Sequence, residues 1–328
     1  MHSKRQFIAT SAALAAGSLL PGLAGAQAAF PSRPIRIVVP NAAGGGADLT
    51  ARAVGQAIAG PLGQAVVIDN KPSAGGIVAG ETVSRAEPDG HTLLLISSGS
   101  AVSAALFKTM PFDTLKDFAP ISLLATFDLV IAVAGNSRFK SLPEMVSWAK
   151  ANPGKLNIGT PQIGTTQNLA AEMFKLTAGI EAQVVPFNGT PPVVTAVRGG
   201  EIDAMVDILG PLVTQISGKT LRALAVLGKD RAPQLPDVPA ARETGPAFAQ
   251  MNLSSWNGLA APAKTPPAVV DRLSKEVQAA LAKPELVQRL RDLNLTARSS
   301  TPQQARDFLA ADIQRWNDVI AKAKIQKL

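Results

Sequence analysis

Short β-branched runs alternate with stretches of helical length along most of this chain, and that alternation leaves few folds open to it. Ile35 to Val39 reads as a buried strand closed by Pro40. The loop Asn41 to Gly46 follows, and Ala47 to Ile58 reads as a helix. Ala65 to Asp69 is a second strand, Gly75-Gly76 leads into a helix to about Arg85, and Thr92 to Ile96 is a third strand. The pattern resumes with strand Leu129 to Val133, helix Ser141 to Ala151, strand Leu156 to Gly159, helix Thr165 to Thr177 and strand Gln183 to Val185. Helix Pro191 to Arg198 and strands Ile202 to Val206 and Leu221 to Val226 complete the second half. After a Pro-rich loop, Gly258 to Ala261 is one more strand, and Pro267 to Lys327 is helical in pattern with breaks near Pro284 and Pro302. Strands separated by helices call for α/β lobes with largely parallel pairing.

Roughly 300 residues exceed what one hydrophobic core usually serves, so two lobes are expected. A hydrophobic fraction of 46% with 17% charged residues suits well-packed lobes. If the helical tail returns to the first lobe, the chain crosses between lobes twice, near Phe127 to Val130 and near Asn252 to Trp256. Two such crossings make a hinge, and a cleft between hinged lobes can enclose a ligand. Two independent domains in series fit the periodicity equally well.

The first residues read as an export signal. Lys4 and Arg5 precede an uncharged apolar run from Phe7 to Leu20, then the helix breakers Pro21 and Gly22, then small alternating residues up to Ala28. The apolar run is too short to span a bilayer, which needs about 20 residues. Cleavage after Ala26 and after Ala28 fit alike. Lys4-Arg5-Gln6-Phe7-Ile8 resembles a twin-arginine signal with lysine in the first position, so both export routes stay open. The chain has no cysteine, which rules out a lipid-modified cysteine, disulfides and thiolate metal sites. An exported, unanchored protein of the periplasm is expected.

Net charge is +8, falling to +6 once Lys4 and Arg5 leave. The basic residues are scattered and not interleaved with aromatics, so no nucleic-acid surface is expected. Catalytic chemistry is hard to assemble. His2 belongs to the signal, which leaves His91 alone, after a Pro-Asp-Gly turn where a surface position is expected. No G-x-S-x-G elbow is present, and His/Cys metal sites are excluded by count. Asp48, Asp203 and Asp207 remain as possible carboxylate catalysts, with Asp48 placed where a helix start commonly carries an acid. The expectation is no enzyme, no cofactor and no metal.

Three loops follow strands and precede helices or end a strand, where open α/β sheets bind ligands. Asn41-Ala42-Ala43-Gly44-Gly45-Gly46-Ala47-Asp48 combines contiguous glycines with a helix start, an arrangement suited to an anion. It is neither a dinucleotide fingerprint nor a P-loop; alone, it also reads as a structural turn. Gly159-Thr160-Pro161-Gln162-Ile163-Gly164-Thr165-Thr166-Gln167 has the same character in the second half, with Thr165 or Thr166 serving as helix cap, anion donor or both. Ser97-Ser98-Gly99-Ser100 ends the third strand with hydroxyls and amides.

At these loops the chain closely resembles the Bug family, the periplasmic substrate-binding proteins of tripartite tricarboxylate transporters. The resemblance runs from Phe30 to the C-terminus. Its landmarks include Phe30-Pro31-Ser32-Arg33-Pro34, Gly44-Gly45-Gly46-Ala47-Asp48, Asn70-Lys71-Pro72-Ser73-Ala74-Gly75-Gly76, Pro88-Asp89-Gly90-His91-Thr92, Lys116-Asp117-Phe118-Ala119-Pro120 and Leu235-Pro236-Asp237-Val238-Pro239. The resemblance implies a type II periplasmic-binding-protein fold, a "Venus flytrap" with a mixed sheet flanked by helices in each lobe. Residues 29–128 with 254–328 would form domain 1, and 129–253 domain 2, after a signal over 1–28. It further implies capture of a small carboxylate for the membrane permease subunits of such a transporter, by a monomer.

Carried over by position, Asn41, Ala43, Gly44, Gly45, Asp48 and Ser98 would line the first-domain side of the cleft. Gln162, Gly164, Thr165 and Thr166 would hold a carboxylate from the second, with Phe187 and Asp207 near the cleft. The chain departs from the family pattern in having Asn41 for an aromatic or aliphatic residue, Asn168 for a common histidine, and Phe187-Asn188 for Tyr-Lys. These changes make the cleft edge less positive and favour a monocarboxylate or compact dicarboxylate, with room for an aromatic body, over a tricarboxylate. A periplasmic sensor presenting its ligand to a receptor, and a hydrolase or lyase using Asp48 or Asp207, are the competing readings.

Overall fold

The computed structural model describes residues 30–322 and 325–328; the expected export signal lies outside them. Among the described residues ten strands form: Ile35–Val39 (β1), Val66–Asn70 (β2), Thr92–Ser97 (β3), Phe118–Ala134 (β4), Leu156–Pro161 (β5), Ala182–Phe187 (β6), Ala204–Ile208 (β7), Leu221–Val226 (β8), Ser254–Pro262 (β9) and Thr296–Ala297 (β10). The helices are Gly46–Leu62 (α1), Ile77–Ser84 (α2), Ser98–Leu106 (α3), Leu142–Ala151 (α4), Thr166–Ala178 (α5), Thr190–Gly199 (α6), Val213–Ser217 (α7), Pro267–Leu281 (α8), Pro284–Asp292 (α9) and Pro302–Lys322 (α10).

The fold is α/β and two-lobed, with a mixed sheet in each lobe. In the first, β1 pairs in parallel with β2 and β3, while β3 and β4 flank β9 antiparallel. In the second, β5 pairs in parallel with β6 and β7, while β7 and β8 pair antiparallel with β4. One strand serves both sheets. Phe118 to Asp128 of β4 lies against β9, and Leu129 to Ala134 lies between β7 and β8. The return passage is tied to the same point, for the Leu253 amide donates to Leu227 and the Leu227 amide to Leu129.

Among the elements that differ from the sequence reading, two bear on the site. The strand expected at Leu129 begins eleven residues earlier, at Phe118. Pro120 masks this extension, because proline lacks the ladder N–H; the register shifts between Pro120 and Ser122 to accommodate it. The second is α3, which occupies residues expected to be loop. Serine and glycine form helix interiors poorly, but here they build its first turn: Ser97 accepts from the Gly99 amide, and the Ser100 hydroxyl accepts from the Ser97 amide.

His91 is not at the surface. It is buried, its Nε2 accepts from the Ser32 amide at 3.1 Å, and its ring meets Phe30 edge-on at 5.1 Å. The N-terminal segment folds across the start of β3 and covers it. The C-terminal helix docks on the first lobe, where α10 packs against α3 and β4. Its Asp312, buried, accepts from Trp256 Nε1 of β9 at 2.7 Å and pairs with Arg315 at 2.7 Å.

A hydrogen bond to a charged partner is worth about 1.5–3 kcal/mol. Trp256→Phe removes this donor while keeping the ring, and is expected to lower stability by about 2 kcal/mol. The check is urea unfolding, read as a lower midpoint at unchanged slope; a wild-type midpoint would show that the bond contributes nothing.

Candidate ligand cleft between the lobes

Four helices begin at the same place. The starts of α1 and α3 in the first lobe face those of α5 and α6 in the second, and Gly45, Gly46, Gly99, Thr166, Gln167 and Thr190 line one chamber between them. Each helix start presents the positive end of a dipole with unpaired amides, although α6 offers only that of Thr190 in its first three positions, since Pro191 and Pro192 carry no N–H. At α3 the Ser97 hydroxyl takes the Gly99 amide, whereas the other three caps leave the first amides available. Gly45 and Gly189 cap α1 and α6 with no side-chain hydrogen bond. Thr165 caps α5 through the third residue, Asn168, at 3.2 Å, so that bond leaves the Thr166 and Gln167 amides untouched. No residue lining this chamber is charged. Phe127 and Ile208 make its apolar floor, while Ser255 and Asn257 of β9 close one side.

The lobes meet face to face. The Gly75 amide donates to Ile163 O at 2.9 Å, and Ser103 Oγ donates to Gly164 O at 3.1 Å. Asn41 Nδ2 donates to Gln162 Oε1 at 3.4 Å, and Ser255 and Thr166 hydroxyls lie 3.4 Å apart. Gly164 makes this approach possible. Its φ is +79°, and a Cβ there would stand 2.7 Å from Gly75 Cα and 2.9 Å from Ser103 Oγ.

The residues singled out from sequence separate into those on the chamber walls and those behind them. Asn41, Gly45, Thr165 and Thr166 line the polar chamber; Gln162 and Gly164 line an adjoining one together with Asn41 and Thr165. Ala43 and Gly44 are exposed and lie outside both. Ser98 is a correction: it is fully buried, its Oγ accepts from the Trp256 amide at 3.0 Å, and its neighbours Ser97 and Gly99 form the wall. The first residue of α3 points onto the sheet, and its cap points into the cleft. Phe187 packs into the second-lobe core instead of the cleft.

Asp48 is likewise behind the wall. It accepts from the Gly44 amide at 3.0 Å and pairs with Arg52 at 2.9 Å, which holds the glycine loop in shape. Burial pushes its carboxyl up, but Arg52, the Gly44 amide and Asn70 outweigh that and keep it below the usual range. Asp207 is fully buried beneath the second-lobe wall. Its Oδ1 accepts from Gln167 Nε2 at 3.2 Å and from the Ile208 amide at 2.7 Å, while Oδ2 has no hydrogen-bond partner among the described residues. Burial pushes this carboxyl up to about 6, against the pull of its donors.

Ser97, Gly99 and Gln167 lie in the loops named from sequence without being assigned to the cleft individually, and Thr190, Ser255 and Asn257 were not singled out. One signal for Thr190 was present: Phe187-Asn188-Gly189-Thr190-Pro191 repeats the strand–glycine–helix pattern of the first loop. Among the described residues, no group of histidines and carboxylates is arranged to hold a metal.

Residues 50–325 match the tripartite tricarboxylate transporter family receptor. The chain belongs to that family. It is 32% identical to BugT of Bordetella pertussis over 293 residues, 89% of each chain. A Rhodopseudomonas palustris protein solved with adipate superposes with a TM-score of 0.87 at 28% identity, covering 91% of this chain and 100% of that one. MatC from the same organism, with bound malate, gives 0.83 at 31% identity, covering 89% and 100%. Receptors of this family are periplasmic solute-binding proteins, which places the chain among the binding proteins of the periplasm.

Two variants probe this receptor's cleft. Gly164→Ala forces a side chain into the interlobe contact at a left-handed position. It is expected to fold, to bind ligand about tenfold or more weakly, a loss of about 1.4 kcal/mol, and to lose ligand-induced compaction in small-angle scattering. Wild-type compaction would show that the contact is not needed. The second concerns Asp207. Its carboxyl lies at about 6 in the fold against an ordinary 3.8, so between those values the folded state holds a proton that the unfolded chain releases. Stability therefore falls as pH rises through that window and is flat above it, a loss on the order of 3 kcal/mol. Asp207→Asn should lack this slope in urea unfolding between about pH 4 and pH 8; a persisting slope would assign it elsewhere.

Proposed function

We propose that this protein captures a small carboxylate between its lobes and delivers it to the membrane permease subunits of a tripartite tricarboxylate-type transporter. The observation that carries the reading is the convergence of four helix starts, two from each lobe, on a chamber lined by no charged residue. Each such end stabilises an anion by roughly 0.3–1 kcal/mol when exposed and up to about 2 kcal/mol when partly buried. A carboxylate engaging both pairs links the lobes, which is how a ligand favours the closed arrangement. Two of the relatives were solved with carboxylates, adipate and malate.

On this reading domain 1 comprises residues 29–128 and 254–328, and domain 2 residues 129–253. The ligand lies against Asn41, Gly45, Gly164, Thr165 and Thr166, with Asp207 setting the position of Gln167 from behind. The absence of lysine and arginine from the walls favours one or two carboxylates over three. Residues 1–28 serve as the export signal.

The test is a thermal-shift screen of carboxylates on protein freed of co-purified ligand. A ligand at about 100 times its Kd adds roughly 2.7 kcal/mol of stability, so at least one acid should raise the melting point while its neutral amide does not. Shifts by sugars or amines with none by any acid would sink the proposal.

A further inference from the structure

Beside the polar chamber lies an apolar one, and Asn41, Ser97, Gly99 and Thr165 belong to the walls of both. The second chamber runs into the first lobe, over β3 and the segment that precedes β4. Leu94, Ile96, Met110, Phe112 and Phe118 form its sides. It has no charged residue, and Thr114, buried with a hydroxyl that makes no hydrogen bond, is the one polar side chain contributed by the 110–118 segment. Glycines shape the remaining face. At Gly80 a Cβ would run into the tip of the Phe112 ring, so glycine there lets the phenylalanine reach α2.

An apolar space opening off a polar site costs stability while it is unfilled. It also sorts ligands. A second carboxylate placed against Leu94, Ile96, Phe112 and Phe118 would lose its hydration and find the Thr114 hydroxyl there and only neutral groups such as Ser100 and Gln162 on the other walls, with no countercharge. A hydrocarbon body loses nothing and gains burial. We infer that the ligand of this receptor is an amphipathic monocarboxylate, whose carboxylate sits at the helix starts and whose alkyl or aryl body fills the chamber walled by Leu94, Ile96, Phe112 and Phe118. This rests on the carboxylate reading above and narrows it to one class.

The experiment is titration calorimetry on the ligand-free exported chain with acetate, butyrate, hexanoate and benzoate, and with succinate as the dicarboxylate of matching length to butyrate. Affinity should rise about fourfold per methylene until the chamber is full, the equivalent of about 0.8 kcal/mol per buried CH₂, and butyrate should bind more tightly than succinate. Phe112→Ala enlarges the chamber and should move the optimum to a longer acid. A flat or falling series, or succinate ahead of butyrate, overturns the inference while leaving the carboxylate reading intact. An optimum unmoved in a folded Phe112→Ala variant also counts against it; should that variant fail to fold, the wild-type series decides. If no acid binds at all, the carboxylate reading itself fails and this inference with it.

Discussion

Both sheets depend on a single strand. The seventeen residues of β4 pair with β9 over Phe118 to Asp128 and with β7 and β8 over Leu129 to Ala134, so each lobe borrows its central pairing from the same piece of chain. The return passage joins at Leu253 through Leu227 to Leu129, which puts both crossings side by side. Rotation about adjoining extended segments breaks no sheet, because every ladder ends where the other begins. The cleft faces that hinge: Phe127 of β4 and Ser255 and Asn257 of β9 are its inner wall. Asn257 also reaches α1, donating to Gly46 O at 3.3 Å and to Thr50 Oγ1 at 2.9 Å, so the first anion-facing helix start is fixed directly to a crossing strand.

Electrostatics follow from that placement. A lysine in such a cleft carries its charge whether or not ligand is present, and must be hydrated or paired when the lobes are apart. Helix starts have no such requirement, since water satisfies their amides in the open form and a carboxylate replaces it on closure. The acid behind the wall fits this scheme. Asp207 is buried with one oxygen unpartnered and a carboxyl raised to about 6, yet its Oδ1 holds Gln167 at the start of α5. It orders the wall without standing among the lining residues.

Much of this was legible in the chain, and the exceptions have physical causes. Ile35-Arg36-Ile37-Val38-Val39 needs only its own residues to declare a buried strand, and the glycine loop after it declares a helix start. The first half of β4 was hidden by Pro120, whose missing donor is tolerated at an irregular register. The helix α3 was hidden by Ser-Ser-Gly-Ser, residues of poor propensity rescued by reciprocal capping. Site residues contributed by remote strands were harder still, for nothing local to Ser255 or Asn257 brings either to Gly46. The apolar chamber was wholly illegible: Leu94, Ile96 and Phe118 read as core, and only the packing shows a space among them.

The division of the cleft has a consequence for how such a receptor changes its cargo. On the proposed reading, binding of the carboxylate uses backbone amides, which almost any sequence supplies as long as the helices start in the same places, together with glycines where the chain must pass closely, as Gly164 does at Gly75. The adjoining chamber is built from side chains, and side chains are what substitution alters. On the proposed reading, closure geometry is thus carried by backbone, and selectivity by a handful of hydrophobic residues in the first lobe. Exchanging Phe112 or Met110 for a smaller or polar residue alters which body fits without disturbing the contacts by which the lobes meet, since those run through Gly75, Ser103, Ile163 and Gly164. One hinge and one anion site can therefore serve ligands that share a carboxylate and little else.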